Sequence, residues 1–439
     1  MRIAKSALIQ PGGNAAYAIP AVALSLFCFA YSIKFGQVAI LLYYALWLPL
    51  IAVDYKKVLG SYGRYMWIFA FATLAFLSVF WSAVPSVSLR ASIQYLTQVI
   101  CALIAVRVLD VRTLTVGMIA GVGIVLVYSL LFGYYEYDPL DGTFSFVGAF
   151  ASKNQLGFYA SLGLIVCFAA VFIFGERRLW MAAAGVVGLL SAYCLLACQS
   201  ATSVLTTFVV IALIVGLRVV LALTPNQRKL LVVGGGVAVI VLAVAGVYLG
   251  AVDAVLGIFG KDSTLTGRTY LWQQGIEAAQ QNPIFGVGYQ AYWVQGFSEA
   301  ERLWEEFFIG SRSGFHFHNT YIETAVELGL AGVITLALTL LRILWGHLRR
   351  LIEDIRNDES YLLFAIAVLL TIRSFVEIDI LTPYNVGTFL FYFAAGKLAA
   401  PRRLPGRRQL ASAKAARTGD AITSFAFQTG VDRSFEGTG

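Results

Sequence analysis

The chain has 439 residues, of which 59% are hydrophobic and 13% charged, with a mean hydropathy of +0.77. Such a chain has lipid as its main solvent and reads as a polytopic membrane protein. Its formal net charge of +8 is topological charge and anionic-lipid contact, not a nucleic-acid footprint.

A transmembrane helix needs about 20 mostly apolar residues. On that measure the sequence predicts twelve spans, beginning near residues 15, 38, 65, 91, 113, 154, 179, 203, 230, 319, 360 and 384. The expected fold is all-α and polytopic. Lys and Arg mark cytoplasmic loops, and with the N-terminus inside they fall on one side at Arg2, Lys5, Lys56, Lys57, Arg64, Arg107, Arg112, Arg177, Arg178, Arg228, Lys229, Arg349, Arg350 and Arg356. The other side keeps Lys34, Arg90, Lys153, Lys261, Arg268, Arg302 and Arg312. Both termini are therefore expected inside. The first apolar run reads as an uncleaved anchor. Cys28, Cys101, Cys167, Cys194 and Cys198 lie in apolar runs and behave as small hydrophobes rather than a disulfide set or metal site.

The expected organisation is an N-terminal transmembrane bundle over 1–250, an outside loop over 251–317, C-terminal helices over 318–400, and a basic, disordered cytoplasmic tail over 401–439. A second outside loop runs from Gly133 to Lys153. The long loop exceeds the ~12 to 15 residues of a simple connection. It is rich in Tyr, Trp and Phe, which suits either a sugar-stacking surface or an aromatic interfacial belt. Residues Gly267 to Gln281 predict an interfacial helix stopped by Asn282-Pro283, with Gly286 and Gly288 supplying a turn. Arg268, beside Gly267, suits bidentate capture of a phosphate, or a snorkelling contact with headgroups.

His318 is the sharpest candidate, because an imidazole at the mouth of a membrane span usually has a task. Thr320 and Glu323 fit a capping box, which places a helix start just after His318. A helix N-terminus lowers a nearby imidazole pKa and favours anions, so a neutral His318 would accept a proton next to a phosphate seat. Gly329 and Gly332 allow a neighbouring helix to approach closely. His316 with His318 makes an H-x-H pair that lacks a clear carboxylate for metal binding. In the eleventh span, Arg373 and Glu377 stand four apart and could neutralise each other, or contact acceptor or phosphate. Asp379 is expected to face the same cavity as His318, and Lys153 is either an anchor or a guide for pyrophosphate.

His318-Asn319, nine residues, Gly329, two residues and Gly332 resemble the C-terminal signature of the O-antigen ligase and Wzy-type polymerase family. Trp81-Ser82-Ala83-Val84-Pro85-Ser86, Lys153-Asn154-Gln155-Leu156-Gly157, Gly267-Arg268-Thr269-Tyr270-Leu271-Trp272 and Asn282-Pro283-Ile284-Phe285-Gly286-Val287-Gly288 are similar to its other elements. The resemblance spans about residues 65 to 400. It implies a GT-C-like, metal- and cofactor-independent, inverting glycosyl transfer at the outer face of the bacterial inner membrane. The donor it implies is an undecaprenyl-pyrophosphate-linked oligosaccharide.

By that resemblance Arg268 holds the pyrophosphate and His318 activates the acceptor hydroxyl. Candidate substrate contacts are Arg90, Lys153, Asn154, Arg302, Arg312, Asn319, Arg373, Glu377 and Asp379. The family often has Leu four residues after the arginine, whereas Trp272 stands there in this chain. Arg90, Arg302 and Arg312 compete as the second arginine. The early motifs look most like rhizobial-type exopolysaccharide polymerases, which favours polymerisation of repeat units onto a growing chain, with a chain-length regulator as partner. Ligation to lipid A-core and transfer to a protein hydroxyl are the alternatives within the family. A lipid-linked oligosaccharide transporter is the alternative from another class; the lack of an internal repeat and the one-sided ordered loop weigh against it.

Overall fold

A computed structural model describes residues 4–60, 63–138, 143–248, 267–312, 314–354 and 357–401. The expectations for residues 251–266, including Lys261, for Arg356 and for the tail after Pro401 lie outside the described residues. Residues Met1–Ala399 form one compact unit.

A helix stands at or near each of the twelve expected starts, from Ala15–Ala30 to Val386–Ala399. Seven are long and apolar enough to cross a bilayer: Gly63–Phe80, Pro85–Val108, Val111–Phe132, Lys153–Phe172, Leu179–Ala197, Ala201–Ala222 and Thr320–Glu353. The helix starts are set by side-chain caps. Asp110 accepts from the Thr113 amide, Ser152 from Gln155, Ser200 from Ser203 and Asn357 from Ser360, which satisfies backbone donors that have no partner within the helix. Exposed Leu189, Leu196, Phe208 and Leu338 cover the outside with apolar surface that only lipid solvates well.

Three sequence expectations are corrected. The fold is not purely α: Tyr134–Asp138 and Thr143–Gly148 pair as an antiparallel hairpin, because the Gly133-to-Lys153 loop alternates aromatic and polar residues at the strand period. The eleventh helix, Asp358–Arg373, ends at Arg373, so Glu377 and Asp379 sit in a non-helical segment rather than in a span. The long-loop aromatics form neither a sugar-stacking surface nor a belt as a group. Tyr292, Trp304 and Phe317 are buried with Leu271, Ala278, Ala300, Leu303 and Val326 as a small hydrophobic core, since together they bury more apolar area than as separate anchors. The expected helix before Asn282 is present as Arg268–Gln281, with Gly267 left-handed at its start (φ 83°).

The Thr320–Glu353 helix is broken at Gly329 (φ 62°, ψ −162°). A break at membrane depth frees backbone groups that lipid cannot satisfy, so they need protein partners. The Asn282–Gly288 segment supplies them. The Leu330 amide donates to Pro283 (2.8 Å) and Ala331 to Ile284 (3.1 Å), while Val287 donates to Val326 (3.0 Å) and Gly288 to Glu327 (2.9 Å). The neighbour that Gly329 admits is therefore a turn segment, not a helix as expected. Gly332 meets its own chain at Thr324 and Leu328.

The same segment is gripped from the other side. The Trp81 indole donates to the Phe285 carbonyl (2.9 Å), the Ala83 amide to Val287 (2.8 Å) and the Ser88 hydroxyl to Tyr289 (2.7 Å). Three separated sequence motifs thus interlock through backbone hydrogen bonds. A Cβ on Gly329 would lie 2.3 Å from the Ile284 carbonyl carbon, and one on Gly286 2.4 Å from that of Glu327. Both glycines have positive φ, so side chains are excluded twice over. Gly329→Ala is expected to abolish accumulation of folded protein in the membrane fraction; normal yield and monodispersity would show that the interlock is dispensable.

Candidate active site

The interlock delivers His318 to the start of the Thr320–Glu353 helix. Asn319, not Thr320, is the N-cap: its Oδ1 accepts from the Tyr321 (3.0 Å) and Ile322 (3.2 Å) amides, and its Nδ2 donates to Phe375 (2.9 Å). The expected Thr320–Glu323 capping box is replaced because the Thr320 hydroxyl donates to the Glu377 carbonyl (2.6 Å) and its amide to Ser374 (2.8 Å). Glu323 instead accepts from the Phe317 amide and the Trp293 indole, each at 2.8 Å. These bonds hold His318 at φ 52°, a conformation that costs free energy for a non-glycine residue and persists only where neighbours enforce it.

Three segments converge on Glu377. Its Oε1 accepts from Arg268 Nη2 (3.1 Å) and Asn154 Nδ2 (2.8 Å), and its Oε2 lies 3.6 Å from His318 Nδ1. Arg268 also donates from Nη1 to the Val376 carbonyl (2.9 Å). Asn154 Oδ1 lies 2.9 Å from the Ser200 hydroxyl, which fixes the amide so that its NH₂ faces Glu377. The side chains of Glu377, Arg268 and His318 are 7%, 16% and 25% exposed, so the carboxylate is the buried floor and the imidazole the group that reaches solvent. His318 Nδ1 is itself buried, which leaves the open part of the ring on its other edges.

Arg373 does not pair with Glu377 as the i, i+4 spacing suggested. With the helix ended, the chain turns and Arg373 meets Asp379 through Nε, donates to Ser203 Oγ (3.2 Å) and stacks on Phe158 (4.3 Å). The side chains of Arg373 and Asp379 are 1% and 13% exposed, so the two form a largely buried ion pair.

The remaining candidates are elsewhere. Arg302 pairs with Glu299 (3.2 Å) and Glu306 (2.6 Å), and Arg312 with Glu301 (2.9 Å) and Glu305 (3.9 Å), on the outer helix Ser298–Glu306 and its exit. None of these partners belongs to the cluster. Arg90 is exposed on the Pro85–Val108 helix, and Lys153 opens the helix that carries Asn154. Sequence reasoning missed Ser200 and Ser203; the polar Gln199-Ser200 break between two apolar runs was the available signal.

The electrostatics favour a neutral imidazole. Burial pushes the His318 pKa below its ordinary value and Arg268 pushes it the same way, against an opposing pull from Glu377. The helix N-terminus expected to cause this is already occupied by Asn319. Burial also lowers His316, together with its neighbours His318 and Arg268. Burial alone would raise the Glu377 carboxyl, but Arg268, His318 and Arg373 outweigh it and hold the carboxyl well below the usual range. Glu377 is therefore an anion flanked by a fixed cation and a neutral base. His316, His318 and Glu377 could each offer a cation one ligand atom, all within 4.8 Å of one another. The Arg268 charge on the same carboxylate opposes such an ion.

Residues 186–337 match the family model described as O-antigen ligase. Over 403 residues the chain is 66% identical to the exopolysaccharide production protein ExoQ of Rhizobium meliloti (strain 1021), covering 92% of this chain and 93% of that one. The chain belongs to the O-antigen ligase and Wzy-type polymerase family. Within this member of the family, the matched window contains Arg268 and His318 but neither Asn154 nor Glu377. The matched window thus holds the imidazole and the joint at Gly329, while the carboxylate beneath it comes from a segment further along the chain.

Proposed function

We propose that the protein polymerises lipid-linked oligosaccharide repeat units into an exopolysaccharide, at the outer face of a bacterial inner membrane that its chain crosses twelve times with both termini inside. The observation that carries this reading is the convergence of Arg268, His318 and Asn154 on the Glu377 carboxylate, in a chain 66% identical to an exopolysaccharide production protein. The donor is a saccharide on polyprenyl pyrophosphate.

An acceptor sugar hydroxyl attacks the donor's anomeric carbon. The new C–O bond forms as the C–O bond to pyrophosphate breaks, with inversion and without a metal. The Glu377 carboxylate, 3.6 Å from His318 Nδ1, favours the tautomer with its proton on Nδ1, so Nε2 carries the lone pair that accepts the hydroxyl proton. Arg268, always charged, turns from Glu377 towards the developing negative charge on the leaving pyrophosphate. Lys153, first residue of the helix that carries Asn154, adds attraction for the same group. A chain-length regulator binding alongside would set polymer size.

Transfer to lipid A-core is the second reading, favoured by the description of the matched family model. A deletion strain separates the two. Loss of long exopolysaccharide with single repeats left on the lipid carrier supports polymerisation, whereas long chains left unattached to lipid A-core sink it.

The pH dependence follows from the depressed His318 pKa. The base is active when neutral, so activity should be full above the ordinary histidine value of about 6.5 and fall only at lower pH. An acid limb centred at or above that value in the purified enzyme would rule out a buried neutral His318 as the base.

A further inference from the structure

Arg342 lies on the helix that begins just after His318, past its break at Gly329 and roughly 30 Å of helix length further along at about 1.5 Å per residue, which is about one hydrocarbon thickness. There a second cavity opens, of about 320 Å³, lined by Gly63, Arg64, Trp67, Arg342, Leu398 and Ala399. These residues come from the beginning of the Gly63–Phe80 span, the later part of Thr320–Glu353 and the end of Val386–Ala399. The Arg342 guanidinium lies 4.2 Å from the Trp67 ring centroid. A guanidinium stacked on a ring keeps its N–H groups at its edge, in the plane where an anion would meet them. Among the described residues, no carboxylate lines the cavity.

Two cations share this hollow with no anion among its walls. They repel each other unless an anion enters. A second stacked pair stands beside it, with Arg107 4.6 Å from the Tyr65 ring, and Arg402, Arg403, Arg407 and Arg408 follow in the sequence just after Ala399. Arginine forks match phosphate oxygens. Met66, Leu341 and Trp345, close along the chain to lining residues, are exposed, and Leu398 forms part of the wall. A phosphate carried on acyl chains satisfies both features, because the headgroup neutralises the arginines while the chains cover the exposed apolar residues.

We propose that this cavity binds the phosphate headgroup of an anionic phospholipid, from the leaflet opposite the active site. Arg64 and Arg342 hold the phosphate and Trp67 forms the wall that orients Arg342. The bound lipid ties the first residues of the Gly63–Phe80 span to the far end of the helix that begins after His318.

The test uses the full-length protein in nanodiscs of phosphatidylcholine with or without phosphatidylglycerol, followed by native mass spectrometry of retained lipid. Wild type should retain phosphatidylglycerol over phosphatidylcholine, and Arg64→Gln with Arg342→Gln should weaken that preference about tenfold or more. Arg342→Lys should weaken it less than Arg342→Gln, since the charge remains but not the fork. Wild type alone should also melt at higher temperature in phosphatidylglycerol than in phosphatidylcholine, a readout that does not depend on a variant folding. Equal retention of the two lipids by wild type, or undiminished retention by a folded double variant, overturns the site. Displacement of the lipid by millimolar inorganic phosphate would overturn the lipid as the source and leave a free anion in its place.

Discussion

His318→Ala is expected to stop sugar transfer while the protein still inserts and folds normally. A positioned general base contributes roughly 10²- to 10⁴-fold to rate, and the acceptor hydroxyl has no comparable acceptor when the imidazole is gone. The substitution removes a ring that is 25% exposed and whose Nδ1 makes no short hydrogen bond, so the structural cost is small. The backbone at φ 52° stays held by Asn319 and Glu323 on either side. The measurement is polymer formed from lipid-linked repeats by purified, monodisperse variant. Polymer at the wild-type rate would remove His318 from the mechanism, and loss of the protein from the membrane would make its role structural.

The second large effect is expected at Glu377, through two separable consequences. Glu377→Gln keeps the shape but leaves Arg268 without its anion, and breaking a buried ion pair from one side costs about 3–5 kcal/mol. The melting temperature in detergent should therefore fall clearly. The amide cannot hold His318 in one tautomer as the carboxylate does, so turnover should fall by roughly 10²-fold or more, with the KM for the donor changed less. The pH profile tells a positioning role from a merely structural one. Glu377 pulls the His318 pKa upward, so its loss should move the acid limb to still lower pH. An acid limb that stays in place, in a variant that melts lower, would confine Glu377 to stability.

Much of the architecture could be read along the chain. Twelve helix starts, the Arg268–Gln281 helix and the stop at Asn282-Pro283 follow from apolar run length, caps and breakers, all local properties of the sequence. His318 and Arg268 were also legible, since each is a charged or titratable residue next to a membrane boundary. The pairings were not. Spacing joined Arg373 to Glu377, yet the helix stops between them and each finds other partners: Asp379 in the turn that follows and distant Ser203 for Arg373, distant Arg268 and Asn154 for Glu377. Arg302 and Arg312 competed with Arg90 as a second arginine, but acids of the Ser298–Glu306 helix pair with both.

The sequence by itself determined that this is a multi-helix membrane protein with a histidine and an arginine next to its apolar runs, because lipid solvation writes itself into every span. Tertiary structure alone decided that Glu377 is the group on which they meet, that Asn319 takes the cap, and that Gly286 and Gly329 exist to let two backbones touch. The physical reason is the same in each case. A buried ion or a freed backbone amide must find a partner in space, and the chain's linear spacing carries no record of which segment will bring it.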